Sequence, residues 1–227
     1  NKVVQVLDDL ASQRKNYVDI KNGLDRRMKY YFDTQLKQHR DDITMKKLGD
    51  VIPIVIGSTP STKEPKYWEN GTHIWVSVSE LNNTTIPISS SAKKITDSAI
   101  SKYHPKLVKK GSILMSFKLS IGKMAIAGCD LYTNEAIVHM NTDNYLYNRW
   151  LYYYYLCYPP KGASGSIGGG SLNKDKLNEL KFINMPDNIK SQIVQYLDNL
   201  EEKKNKISET IKQIDEEMRL VLTQSYQ

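Results

Sequence analysis

A nine-position seam occurs twice in this chain, and the two copies stand 190 residues apart. Near the end, Ile193, Leu197, Leu200, Lys204, Ile207, Ile211, Ile214, Met218 and Val221 alternate spacings of four and three. That is the pattern of a helix burying one stripe against a partner. Near the start, Val3, Leu7, Leu10, Arg14, Tyr17, Lys21, Leu24, Met28 and Tyr31 repeat it, with a basic residue again at the fourth place. Sequence repeats too: Val4-Gln5-x-Leu7-Asp8-x-Leu10 returns as Val194-Gln195-x-Leu197-Asp198-x-Leu200. A helix of about 35 residues is roughly 50 Å long, more than a domain of ordinary size covers. The seams therefore point to pairing of the two copies, antiparallel because one helix enters the intervening domain and the other leaves it. A dimerisation zipper is the plainer alternative, but it needs only one copy per chain. The expected organisation is α+β: helix over 1–43, globular mixed α/β domain over 44–187, helix over 188–227, the helices forming an antiparallel coiled coil.

The basic excess sits in the middle. Residues 44–187 hold seventeen basic and eleven acidic side chains, whereas 188–227 hold six and seven. From Ser98 to Cys129 there is no carboxylate, but six lysines: Lys102, Lys106, Lys109, Lys110, Lys118 and Lys123. Such a field suits a polyanion, since neutralised phosphates release counterions; a solvated lysine face is the alternative. Strands are predicted over Val51–Ile56, His73–Val78, Gly111–Ser116, Gly122–Ala127 and Ile137–Met140. Asn148–Tyr158 reads as a buried helix, its tyrosines a core stripe or a stacking platform for bases. Residues 159–171 hold five of the twelve glycines, a loop suited to close approach.

Several classes drop out. No run of eighteen apolar residues is present to span a membrane, and the first residues lack the pattern of a secretory leader. Cys129 and Cys157 have no CxxC spacing and read as small core residues in a cytoplasmic protein. Gly122-Lys123 is followed by Met124, so there is no phosphate-binding P-loop, and Gly168-Gly169-Gly170 lacks dinucleotide spacing. His39, His73, His104 and His139 are scattered, without metal-ligand spacing. What remains is loop chemistry. Thr59, Ser61, Thr62 and Lys63 put hydroxyls and a cation on a tight turn that can approach base edges or phosphates. Lys118 and Lys123 flank a candidate strand start, and Lys161, Ser164, Asn173 and Lys174 give the glycine loop donors. Ser77 and Ser79 are weaker candidates, because they also suit capping. Ordinary polar turns are the bland reading of each.

These residues also carry a family resemblance along nearly the whole chain. Leu48-Gly49-Asp50, Gly57-Ser58-Thr59-Pro60-Ser61, Tyr67-Trp68, Gly71 and Ile74-Trp75-Val76 resemble the opening of a target recognition domain. Ile121-Gly122-Lys123-Met124-Ala125-Ile126 followed by Thr133-Asn134-Glu135 is similar to its central landmark, with Glu135 where Gln is more familiar. Leu177, Leu180, Pro186, Ile189, Gln192, Ile193 and Leu197 resemble the passage into the connecting helix, with Ser191 in place of the usual Glu. The usual Gln near Ser171-Leu172 is missing. The family is the specificity subunit of type I restriction–modification enzymes. The resemblance implies a non-catalytic subunit that reads one part of a split target in double-stranded DNA. Its implied partners are modification (methyltransferase) subunits docked on the coiled coil, a restriction and translocase subunit, and a second recognition domain or a second copy of the chain. It implies no cofactor in this chain, with S-adenosylmethionine in the methyltransferase subunit. A coiled-coil adaptor whose globular domain binds protein, and a self-contained DNA enzyme, are the readings it competes with.

Overall fold

The computed structural model describes residues 2–118, 120–161 and 172–225. A helix of 37 residues, α1 (Lys2–Gln38), opens the chain. After it come β1 (Thr44–Lys47), the short helix α2 (Leu48–Val51), β2 (Val55–Ile56), β3 (His73–Val76), β4 (Lys93–Ile95) and α3 (Asp97–Tyr103). Next are β5 (Ile113–Ser116), β6 (Met124–Ile126), β7 (Tyr132–Thr133), β8 (Ile137–Met140) and α4 (Tyr145–Cys157). The chain closes with α5 (Lys174–Asn178), β9 (Lys181–Asn184) and the 39-residue helix α6 (Asp187–Ser225). It divides into two compact units, His39–Val194 and the helical stretches Asn1–Gln38 with Gln195–Gln227.

In the helical unit, residue numbers climb on one helix as they fall on the other. Arg14 pairs with Asp215 at 2.6 Å and Lys204 with Asp25 at 2.8 Å. Tyr31 stacks on Tyr196 with ring centroids 3.8 Å apart. The two helices thus run antiparallel. The two ion pairs are images under the repeat, since Asp215 follows Asp25 at the same interval as Lys204 follows Arg14. On the seam Leu10, Met28, Ile193, Leu197, Leu200, Lys204 and Ile214 are buried, and its other members except Arg14 are half-buried. Arg14 is exposed, because it reaches outward to Asp215. Lys204, by contrast, is buried beside Glu201, at 3.2 Å, where the first copy has Ala11. Burial works against the Lys204 charge, but the field of Glu201 and the hydrogen bond to Asp25 outweigh it, and its pKa stays above the ordinary lysine value.

The other unit carries three small sheets: β1-β9, β2-β8-β5-β6 and β4-β3-β7. All pairings are antiparallel except β3 with β7. Val76 of β3 packs with Leu114 of β5, Ala125 of β6 and Ile137 of β8, so the two larger sheets share one core. Beneath β3 and β4 a second cluster joins Tyr67, Trp75, Ile95, Ala99 and Tyr132. The tyrosine-rich helix α4 is core material: Tyr152, Tyr153 and Tyr155 are almost wholly buried, and the indole N–H of Trp150 donates to the Ile183 carbonyl at 2.7 Å. Those three rings are closed to stacking on bases. Both cysteines are half-buried rather than in the core.

The predicted strand over Val51–Ile56 is shorter than its β-branched run suggests. Residues 48–51 form a helical turn, because Leu48 is fully buried and its N–H is taken by the Leu180 carbonyl at 2.7 Å. Pro53 has no N–H to give a ladder, so pairing begins only at Val55, opposite His139.

Candidate nucleic-acid interface

Antiparallel order places four strand ends together. Ile56 pairs with Val138, Ser116 with Ile137 and Met115 with Met124, so β2 and β5 finish where β8 and β6 begin. From this end of the sheet come the loop Gly57–Lys63, the turn Phe117–Lys123 and the turn Thr133–Ala136. Backbone bonds tie them to one another. Gly57 donates to Ile137 at 3.1 Å, Ser58 to Thr133 at 2.9 Å, and Phe117 to Ala136 at 3.0 Å. A Cβ on Gly57 would stand 2.2 Å from the Thr133 hydroxyl, so glycine is required there by close approach. Gly122 has φ +84°, and a side chain there would meet Pro159 at 2.8 Å. This brings the Pro159-Pro160-Lys161 segment to the same place, and the Leu172 N–H returns to it by donating to the Phe117 carbonyl at 3.0 Å.

Most predicted site residues therefore converge. Thr59, Ser61, Thr62 and Lys63 ride a loop held by two indoles: Trp75 donates to the Ser58 carbonyl at 3.1 Å and Trp68 to the Ser61 carbonyl at 2.9 Å. The rings meet edge-on, 5.0 Å apart. Pro60 is buried, while Thr62 and Lys63 are exposed. Lys118 and Lys123 stand on the β5–β6 turn, which is closed by the Ser116 hydroxyl accepting from the Lys123 N–H at 3.0 Å. Lys161, Asn173 and Lys174 are exposed on the two segments anchored beside it. Asn173 also caps α5, its side chain accepting from the Lys176 N–H at 2.8 Å. Ser164 lies outside the described residues. Among the described residues none of Lys63, Lys118, Lys123, Lys161 and Lys174 forms an ion pair. Ser77 and Ser79 have another occupation: Ser77 heads a capping box with Glu80 on a single 3-10 turn, and its hydroxyl meets that of Ser79 at 2.9 Å.

The carboxylate-free stretch does not make one patch. Lys109 and Lys110 precede β5, whereas Lys118 and Lys123 follow it. Lys109 is held by Asp130 at 2.8 Å, and the same carboxylate accepts the Lys110 N–H at 3.0 Å. Those two bonds hold the Asp130 pKa below the ordinary range.

Two features of this end were not legible beforehand. Lys93 lies opposite Trp75 in the β3–β4 register, with its ammonium 6.0 Å from the Trp68 ring and 5.8 Å from the Trp75 ring. It lines a cleft of about 430 Å³ with Thr62, Trp68 and Lys94. Only the non-local pairing puts it there. The second is Glu135, whose carboxylate accepts a short hydrogen bond from the Thr59 hydroxyl; in sequence it stood out only as a departure from Gln. Among the described residues no group of three His, Cys, Asp or Glu side chains is placed to hold a metal ion, and no helix is long and apolar enough to cross a membrane.

Residues 40–216 match the family model described as type I restriction modification DNA specificity domain. The type I restriction enzyme MjaIX specificity subunit of Methanocaldococcus jannaschii is 28% identical over 200 residues, which are 82% of this chain and 46% of that protein. The EcoR124I/EcoR124II specificity subunit of Escherichia coli is 27% identical over 121 residues, 53% of this chain and 30% of that one. The chain thus spans less than half the length of either relative. Its fold is also that of the HsdS subunit from Thermoanaerobacter tengcongensis (TM-score 0.59, 17% identity, 98% of this chain and 55% of that one). The type I restriction–modification S subunit from M. genitalium is likewise similar (TM-score 0.65, 12% identity, 97% and 58%).

Proposed function

The chain belongs to the family of type I restriction modification DNA specificity domains, and from that premise we propose that it reads a short block of double-stranded DNA for a restriction–modification enzyme and catalyses nothing itself. The observation that carries this reading is the convergence at one sheet end of a clamped hydroxyl loop with Lys63, Lys118, Lys123 and Lys161, none of them ion-paired among the described residues. Unpaired cations there suit phosphates, and the hydroxyls of Ser61 and Thr62, held on a rigid frame, suit base edges, while that of Thr59 is engaged by Glu135. Asn173 and Lys174 extend the same surface, and Ser164 is kept as a proposed DNA contact from the sequence alone.

The helix pair is the proposed dock for methyltransferase subunits, which bring S-adenosylmethionine; a further subunit supplies cleavage and translocation. All of this is assigned to the cytoplasm. A second recognition domain, or a second copy of the chain, completes the reader. Burial supports that completion. Val194 is 4% exposed and Phe32 1%, but their repeat images Val4 and Leu222 are 52% and 43% exposed. The same apolar set, covered at one end of each helix, is uncovered at the other. Two modules on a stalk of roughly 50 Å reach sites one DNA turn apart, about 34 Å, so the full target is two blocks with unspecified bases between.

The test is binding-site selection from randomised duplex DNA, with the chain assembled with its methyltransferase partner at near-physiological salt. Recovery of one fixed block, or of two at a fixed gap, is the expected result. Absence of any enriched block from a properly assembled complex would refute DNA reading and leave the helix pair as a protein adaptor.

A further inference from the structure

We propose that Glu135 is a specificity-determining residue that accepts a hydrogen bond from the N4 amino group of a cytosine in the major groove. The proposal rests on the DNA-reading function above and names one base for it.

The loops Gly57–Lys63, Phe117–Lys123 and Thr133–Ala136 contain one carboxylate, Glu135, against Lys63, Lys118 and Lys123. Its side chain is exposed, and among the described residues it forms no ion pair with those lysines. A carboxylate without a cation beside it on a phosphate-binding surface opposes binding unless it meets a donor on the nucleic acid. In the major groove the donors are the amino groups of cytosine and adenine. Adenine sets its N7 acceptor beside the amino group, facing an acceptor-only carboxylate with a lone pair; cytosine has only a C–H there. The carboxylate therefore favours cytosine.

Local structure holds it ready. The Thr59 hydroxyl donates to Oε2, which leaves Oε1 for the base. The turn beneath is pinned: Ile137 donates to the Asn134 carbonyl at 3.2 Å, Asn134 to Val76 at 3.1 Å, and the Ala136 N–H to the Asn134 side chain at 3.2 Å. Thr133 and Ala136 on either side are buried. A contact group fixed before binding loses little freedom on contact, which is what discrimination between bases needs.

The test compares the full chain with Glu135→Gln and Thr59→Val, each assembled with methyltransferase subunits, in selection from randomised duplex DNA. The unaltered chain is expected to require cytosine at one position of its block. Glu135→Gln shifts that position towards adenine, because an amide accepts from N6 and donates to N7; the preference for cytosine falls about tenfold while the other positions keep theirs. Thr59→Val relaxes the same position by freeing the carboxylate, and it serves if Glu135→Gln melts early and does not fold. An unchanged block in the folded variants, or weaker binding with the same base preference, overturns the proposal but leaves DNA reading standing. No enriched block from the unaltered chain overturns both.

Discussion

At the scale of single residues, His139 is the side chain whose surroundings most clearly dictate a measurable property. It sits in the middle of β8, is 7% exposed, and its Nε2 has no hydrogen-bond partner among the described residues. Burial lowers its pKa from 6.5 to about 4. The unfolded chain therefore binds a proton between those values that the folded chain refuses. The associated stability is complete above pH 6.5 and is lost as pH falls towards 4, amounting to about 3 kcal/mol in all. Urea unfolding at pH 7.5 and pH 5 should show a fall of about 2 kcal/mol that is absent from His139→Leu. Since an unpartnered ring nitrogen gains nothing from burial, that variant should be no less stable at pH 7.5. An equal fall in both proteins would mean that His139 is not what titrates. In sequence His139 was one of four scattered histidines, because its place in the short apolar run Ile137–Met140 does not tell how dry its surroundings are.

Among the elements, the long helices were the most legible. Their seam and its repetition are local properties of the chain, and the antiparallel pairing follows from connectivity. Residue scale detail was hidden: the matching basic residues Arg14 and Lys204 differ in burial because Ala11 and Glu201 are not matched. Taking away the Lys204 ammonium leaves Glu201, 0% exposed, without the cation beside it. Breaking such a buried pair costs about 3 kcal/mol, so Lys204→Met should lower the denaturant midpoint sharply. Arg14→Met, at the half-exposed image of the pair, should cost under about 1 kcal/mol. Comparable losses at both positions would refute the asymmetry. Gly23 in the middle of α1 offers the opposite change. A Cβ there meets only the Arg26 guanidinium at 3.9 Å, so Gly23→Ala should raise stability by about 0.5–1 kcal/mol, read from the same unfolding curves. The short strands were less legible. Val51–Ile56 looked continuous because its residues favour strands, but the buried Leu48 and its bond to Leu180 depend on a segment some 130 residues away.

For the molecule as a whole, the proposed function turns on which part of its positive charge would face DNA. Six lysines without an intervening carboxylate looked like one field in sequence, yet β5 separates Lys109 and Lys110 from Lys118 and Lys123, and Asp130 engages the first two. Sequence reasoning picked out these loops because tight turns with hydroxyls and glycines are a local signal. It had no means of knowing which loops share a sheet end, since that follows from strand order, and so it missed Lys93. The division has a consequence for binding. A cation that neutralises a phosphate contributes about 0.9 to the slope of log affinity against log salt. Replacing Lys118, Lys123 and Lys161 together by Gln should flatten that slope by about 2 to 3, and should weaken binding to every duplex alike, leaving the preferred sequence unchanged. Lys109→Gln should leave the slope where it was, because that ammonium is already paired at the opposite end of the strand. Fluorescence anisotropy titrations of the assembled complex on the selected duplex, at four or more salt concentrations, give both slopes. If Lys109→Gln flattens the slope as much per residue as the triple change does, the phosphate contacts are spread over the domain and the sheet end is not the DNA-facing surface.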